Sequence, residues 1–354
     1  MVESRTMPPW MPGDQGVPLK HVRALSDAEI KLITTWAAAG GPEGSKSDHL
    51  ERTPNLPTVR ADLAFQMPEP YTPKATLSDD YRCFVIDPKV TEQQFVTGYD
   101  IKAGVAAQVH HVILFVALDQ GDTLARLDAT DAADPEPGYQ CFGGPMIEAS
   151  TKGYLPPFRF LGGWAPGQGA SRLPQGTGIA LPARSRIVMQ VHYNAANGRA
   201  PDQTSVRLEL APVVAKEAFL FPLGNYSFNI PAGAKDVPVV GTTKIPSTIG
   251  SFVIWALAPH MHLFGTEISL DHTQAGVTKR LIGVPRWDFH WQGGYELDEP
   301  VKVSTGDLLK LRCVYDNSAE KQPWIDGAPQ AAKALRWGEK TTDEMCLMFL
   351  YVTL

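Results

Sequence analysis

Three short segments of the 354-residue chain carry side chains that could do chemistry. They are His110-His111, His192 within Met189-Gln190-Val191-His192-Tyr193, and His260-Met261-His262, joined far downstream by Met345 within Asp343-Glu344-Met345-Cys346. Together they offer five imidazoles and one thioether in apolar, strand-like surroundings. That donor set suits copper, because a soft sulfur favours Cu(I) while imidazole serves both oxidation states. Copper that cycles between two states does oxygen or electron chemistry. Zinc in the all-histidine set also fits imidazole ligation, but it leaves Met345 unexplained.

Spacing sharpens this reading. Residues i and i+2 of a strand share a face, so His260 and His262 project together and Met261 points away. A hydrogen-bonded core pair is the equal alternative for an isolated motif of that kind. His110 and His111 are adjacent and face opposite sides of a regular strand; both can reach one metal only where the strand bulges or ends. Gln190 shares a face with His192 and puts a polar amide beside that imidazole. Met345 alone would read as a core methionine. It is the joint occurrence of these segments in one order that points to a site.

The elements that must position them are mostly strands. Hydrophobic residues make up 44% of the chain, which therefore buries cores and is not disordered. The Gly and Pro counts, 31 and 30, spread turn residues between short apolar runs and favour many strands over long helices. Runs at 108–118, 186–193, 205–211, 251–257, 308–315 and 346–352 read as strands, several apolar throughout as in a sandwich covered on both faces. Long Gly/Pro-rich loops are expected at 119–182 and 271–300. The net charge of −6 with no basic run argues against a nucleic-acid partner. No apolar stretch approaches the ~18 residues of a membrane span.

Three parts are expected: an N-terminal helical segment at 1–50, a first β domain at 51–212, and a second at 213–354. Ser26-Asp27-Ala28-Glu29 has the form of a capping box. Ile30, Ile33, Trp36 and Ala37 follow at helical spacing, and Gly40-Gly41-Pro42 stops the helix. One such helix makes no core alone and must dock on something. The four cysteines, Cys83, Cys141, Cys313 and Cys346, form no CxxC pair. Two fall in each half, which allows one disulfide per domain; buried free thiols are the alternative.

From Tyr81 to the C-terminus the chain resembles the copper type II, ascorbate-dependent monooxygenase family. The resemblance rests on Tyr81-Arg82-Cys83, Val109-His110-His111-Val112, Gly138-Tyr139-Gln140-Cys141, Trp164-Ala165-Pro166 through Arg172-Leu173-Pro174-Gln175-Gly176, and Gln190-Val191-His192-Tyr193. It continues with His260-Met261-His262-Leu263-Phe264-Gly265, Gly306-Asp307-Leu308-Leu309 to Arg312-Cys313-Val314, and Asp343-Glu344-Met345-Cys346, the most specific block.

That resemblance implies an all-β fold of two antiparallel, jelly-roll-like β-sandwiches, preceded here by the short helical segment. It implies two coppers per chain: one held by His110, His111 and His192 that stores and donates an electron, the other by His260, His262 and Met345 that binds dioxygen and attacks a C–H bond. Met345, His260, His262 and Gln190 are then the catalytic candidates. Ascorbate or another donor supplies electrons, and an open, solvent-filled cleft separates the metals. Cys83–Cys141 and Cys313–Cys346 are the implied disulfides, consistent with a periplasmic or extracellular protein. A non-catalytic copper or electron-transfer protein on the same scaffold is the alternative function.

Departures from the family pattern bear on substrate. Peptidylglycine-hydroxylating members use an arginine two residues before the first histidine of HxH, and Asn and Tyr after the Met-Cys pair; here these positions are Ala258, Leu347 and Phe349. The anchors for a peptide carboxylate are missing, so a more apolar small organic substrate is expected, with dioxygen as co-substrate. Trp287-Asp288-Phe289-His290-Trp291 is an aromatic block for which strand packing is the favoured expectation over a place in the cleft. The N-terminal Met7-Pro8-Pro9-Trp10-Met11-Pro12 and its helix resemble the tail of a c-type cytochrome module, but no CxxCH occurs in the chain, so haem is not supported within it. A remnant packed on the β domains is the expectation, with an upstream haem module or an electron-donor protein as the partner it would imply.

Overall fold

The computed structural model describes residues 1–8, 10–45, 57–77, 79–146, 157–194, 197–325 and 328–354. Its architecture is all-β, with sheets stacked into two sandwiches. A nine-stranded sheet runs through the whole molecule in the order Leu63–Gln66, Ser205–Ala211, Gln94–Lys102, Thr177–Leu181, Lys216–Asn225, Cys346–Thr353, Phe252–His260, Tyr295–Val303, with Ser171–Arg172 paired to Gln94–Lys102. Neighbours pair antiparallel except where Lys216–Asn225 runs parallel to Thr177–Leu181. That junction joins the two halves into one continuous sheet.

A five-stranded sheet, in the order Tyr139–Gln140, Asp79–Ile86, Arg186–Asn194, Val109–Ala117, Phe158–Trp164, packs on the first half of the long sheet. Leu114, Met189, Val191 and Tyr193 meet Val96, Ile179 and Leu208 in that core. A four-stranded sheet, in the order Val237–Lys244, Leu308–Tyr315, Gly265–Gln274, Val277–Val284, packs on the second half. There Leu270, Leu281 and Leu311 meet Ile254, Leu257 and Leu350. The strand Cys346–Thr353 lies between the halves and is covered on both faces: Met348, Leu350 and Val352 enter the second core and Tyr351 the first. This explains its unbroken apolar run, since a strand buried on both sides has no polar face to show.

Segments expected to be long loops hold regular structure. Within 119–182 lie the helix Thr123–Ala133, which buries Leu127 against the Cys83–Cys141 bridge, and the strands Phe158–Trp164 and Thr177–Leu181. Within 271–300 lie a hairpin and the strand Tyr295–Val303. The hairpin turns at Ala275 and Gly276, both left-handed with φ of 49° and 81°, the backbone a two-residue hairpin turn requires. Turn residues there punctuate short strands, and a count of Gly and Pro does not separate the two cases.

The helix Asp27–Ala38 forms with its capping box: the Glu29 N–H donates to Ser26 Oγ and the Ser26 N–H to Glu29 Oε2. It buries no residue, and Leu32 and Trp36 are exposed. The docking expected of it is made by the preceding arm. Gly13 and Val17 donate backbone N–H groups to Gly283 and Leu281 at the edge of one sheet, and Lys20 donates to Glu296 at the edge of the other. Met11 and Val17 enter the second core. No described helix is long and apolar enough to cross a membrane.

Candidate metal centre

The first histidine cluster is built by two neighbouring strands. In the pairing of Val109–Ala117 with Arg186–Asn194, Val109 faces Tyr193 and His111 faces His192, so the register shifts by one residue between them. His110 is the extra residue of that bulge, which turns it to the side of its neighbour. The three rings point their Nδ1 atoms together: His110 to His111 is 3.2 Å, and His192 to His111 is 3.4 Å. One ligand atom from each lies within 4.8 Å of the others. With metal–nitrogen bonds of about 2.0 Å, such separations let one ion reach all three.

Burial depresses the basicity of these rings. The His110 pKa falls to about 3, through desolvation and then the charge of His192. Burial holds His111 well below the usual imidazole range, and His192 is lowered too, with Asp79 opposing. Neutral imidazoles keep the lone pair a metal needs. Asp79 Oδ1 lies 2.9 Å from His192 Nε2, the carboxylate–histidine arrangement that fixes ring and tautomer when the other nitrogen binds metal. Thr341 Oγ1 donates to the same oxygen at 3.0 Å. Tyr81 stacks on His192 with ring centroids 4.0 Å apart and donates its hydroxyl to the Glu339 carbonyl at 2.7 Å.

The second cluster lies where Phe252–His260 ends beside Cys346–Thr353, with His260 opposite Leu347. The His260 and His262 rings are 5.2 Å apart and nearly perpendicular. Each has its Nδ1 held by an oxygen: Gln292 Oε1 at 2.5 Å from His260, and the Asp343 carbonyl at 3.2 Å from His262. Nε2 is left as the nitrogen to offer a metal, the reverse of the first cluster. Burial lowers both pKa values.

Glu344 ties this turn to the methionine segment. Its Oε2 accepts the N–H groups of both His262, at 3.0 Å, and Met345, at 3.1 Å, and its Oε1 accepts that of Phe264 at 2.7 Å. Burial pushes this carboxyl up to about 8, while the N–H groups pull it the other way. Met345 is itself buried, its carbonyl accepts the Tyr315 hydroxyl at 2.7 Å, and the next residue forms the Cys313–Cys346 bridge between the sheets. Gly265 closes the HxHxxG turn because a Cβ there would come within 2.7 Å of the Met261 methyl and 2.9 Å of the Trp287 ring.

The aromatic block is not a strand. Phe289–Trp291 is a short 3-10 helix that reaches both clusters. The Phe289 ring stacks on His110 at 5.0 Å and meets His262 edge-on at 5.9 Å. Trp287 Nε1 donates to the His262 carbonyl at 3.2 Å, and Gln168 of the first half donates to the Gln292 carbonyl at 3.1 Å. The Phe289 ring thus touches one histidine of each cluster.

The structure brings His110, His111 and His192 together, and His260 and His262 together with the Met345 backbone. Gln190 stays on the His192 face, with its amide nitrogen 3.6 Å from Cys141 Sγ. Both disulfides, Cys83–Cys141 and Cys313–Cys346, are formed. Ala258 and Phe349 are cross-strand partners, and Phe349 packs against Phe160 of the first half at 5.5 Å. Sequence reasoning missed Asp79 and Gln292 as neighbours of the clusters, and for Phe289 it favoured strand packing over a place in the cleft. Asp79 opens the strand that pairs with His192, and its doubling with Asp80 at a strand end was the available signal.

Residues 217–352 match the family model of the copper type II ascorbate-dependent monooxygenase, C-terminal domain. The chain is 24% identical over 308 residues to peptidylglycine alpha-amidating monooxygenase of Rattus norvegicus, covering 84% of this chain and 27% of that protein. It is 22% identical over 261 residues to tyramine beta-hydroxylase of Caenorhabditis briggsae, covering 69% of this chain and 39% of that protein. The chain therefore spans well under half of the length of these relatives. A solved structure, "Structure of PNGF-II in P21 space group", aligns at a TM-score of 0.28 and 10% identity over 77% of this chain and 60% of that one, too low to carry an argument. Residues 217–352, which contain His260, His262 and Met345, are thus similar to the C-terminal domain of the copper type II ascorbate-dependent monooxygenases.

Proposed function

We propose that this protein is a copper monooxygenase that hydroxylates a C–H bond of a small, apolar organic substrate, using dioxygen and a one-electron reductant such as ascorbate. His110, His111 and His192 would hold one copper, and His260, His262 and Met345 the other. Bound there, the first metal supplies a stored electron and the second supplies dioxygen activation. The observation that carries this reading is the contrast between the clusters: three Nδ1 atoms converge in one, whereas both Nδ1 atoms are tied up by oxygen acceptors in the other. A single storage role gives no reason for two such different donor sets. Asp79 orients His192, Gln292 orients His260, and Glu344 holds the backbone of His262 and Met345 on one carboxylate.

The substrate reading rests on Ala258, Leu347 and Phe349. No cation stands at these positions, Leu347 is buried beside His260, and Phe349 packs on Phe160. A carboxylate placed there would be desolvated without a partner, which is costly. Two disulfides favour folding in an oxidising compartment, periplasmic or extracellular.

The test is copper stoichiometry by elemental analysis on the reconstituted parent and on Met345→Ala, followed by reductant-dependent oxygen uptake with a panel of apolar substrates. Two coppers falling to one, with product formed by the parent, supports the oxygenase. Two coppers without any substrate-coupled oxygen uptake supports an electron-transfer protein. One copper or none in a folded parent sinks the two-site reading.

A further inference from the structure

We infer that Trp10 and Met11 of the N-terminal arm are positioning residues for the second cluster: they bracket the turn that carries Gln292 and so hold His260 with its Nε2 as the free nitrogen. The bearing of this on copper rests on the two-copper reading above. Gln292 fixes the tautomer of His260. Its Nε2 donates to the Phe289 carbonyl at 3.1 Å, which leaves Oε1 to accept from His260 Nδ1 at 2.5 Å. The proton therefore sits on Nδ1 and the lone pair on Nε2. This choice of nitrogen depends on where the turn places Gln292.

The arm grips the turn at both ends. At the entry, the Arg286 guanidinium donates to the Ser4 carbonyl at 3.0 Å, and the Asp288 N–H donates to Met11 Sδ at 3.3 Å. Gly13 lies so close to Pro285 that a Cβ there would come within 3.3 Å of its ring. At the exit, Trp10 packs edge-on against Tyr295 with ring centroids 5.3 Å apart, and Lys20 Nζ meets Glu296 Oε1 at 2.7 Å. Two adjacent residues thus hold Asp288 and Tyr295, on either side of Gln292. Met11 is buried in the second core, so the arm is anchored where it grips. Asp288 in turn caps the 3-10 helix by accepting the His290 N–H. Holding one geometry costs a glutamine its rotamer freedom, and a backbone already fixed at both ends leaves only that to be overcome.

The experiment is nuclear magnetic resonance of the imidazole nitrogens in the metal-free protein, joined to chelator competition for copper. It compares the parent with Met11→Ala, Trp10→Ala and Leu309→Ala. Leu309 is buried in the same core but sits opposite His272, at the end of its strand away from Tyr315. His260 is expected to be protonated at Nδ1 in the parent and in Leu309→Ala, and to show mixed tautomers in both arm variants. Second-site copper affinity should fall in the arm variants by up to about 10-fold, the low end of the usual cost of disturbing the group behind a ligating histidine. The first site should be unmoved. Arm variants that lose thermal stability but keep the parent's His260 signals reduce the arm to packing and overturn the inference. Equal shifts in Leu309→Ala overturn it too, since the loosening is then general. If Met11→Ala fails to fold, Trp10→Ala decides by the same signals, because Trp10 is only half-buried. A parent that holds no second copper overturns the two-copper reading, while the tautomer shift, read without metal, still decides the bracket.

Discussion

His111 and His192 face each other directly across two antiparallel strands, with their Nδ1 atoms 3.4 Å apart. His110 joins them because the ladder slips by one residue just before His111. The three rings of the first cluster are therefore all carried by neighbouring strands of one sheet. His192→Ala should remove one copper per chain and leave the second site filled, by elemental analysis and by the spectrum of the remaining metal. Equal loss of both metals would contradict independent sites.

Asp79 reaches the first cluster through its contact with His192 Nε2. Asp79→Asn should weaken the first site by about 10–100-fold, the usual cost of losing a carboxylate behind a ligating histidine. Chelator competition measures this, and the second site should be unmoved. An unchanged first-site affinity would mean that Tyr81 stacking alone orients the ring.

Glu344→Gln tests the link between His262 and Met345. An amide keeps one acceptor oxygen and brings an NH2 group against N–H donors now sharing Oε2. Each buried N–H left without a partner costs about 1–3 kcal/mol. The melting temperature should fall, and the second copper should bind more weakly while the first is retained. A variant as stable as the parent would show that the turn does not depend on this carboxylate.

The metal-free protein should lose stability as pH falls below the ordinary imidazole value of about 6.5. The pKa values of all five cluster histidines are lowered by burial in the folded state, so the unfolded chain takes up protons first. Their contribution is fully present above that pH and is lost on acidification, by up to about 1.4 kcal/mol per pH unit for each histidine. For His110 the window runs down to about 3. Denaturant titrations from pH 7 to pH 4 should show the decline, and His110→Ala should make it shallower.

Much of the fold was legible. The Ser26–Glu29 capping box formed as read, because both partners lie within one turn of each other. The strand at 308–315 appeared at its expected bounds, because alternation and flanking turn residues are local signals. The bulge at His110 could be stated only as a condition, since one strand does not reveal its partner's register. Phe289 was harder: a dense aromatic block fits a packed strand as well as a site wall, and nothing local marks the 3-10 turn that directs its ring onto His110 and His262.

The sequence by itself determined the donor types, the i, i+2 spacing that puts His260 and His262 on one side, and the apolar runs that make a sandwich. Tertiary structure alone decided which nitrogen each imidazole presents. That choice depends on oxygens delivered from far along the chain: Asp79 to His192, Gln292 to His260, and the Asp343 carbonyl to His262. It also decided that one sheet would run through both halves and that a phenyl ring would touch a histidine of each cluster. Local propensity is set by neighbours in the chain, whereas hydrogen bonds and ring contacts between distant segments exist only after the sheets have paired.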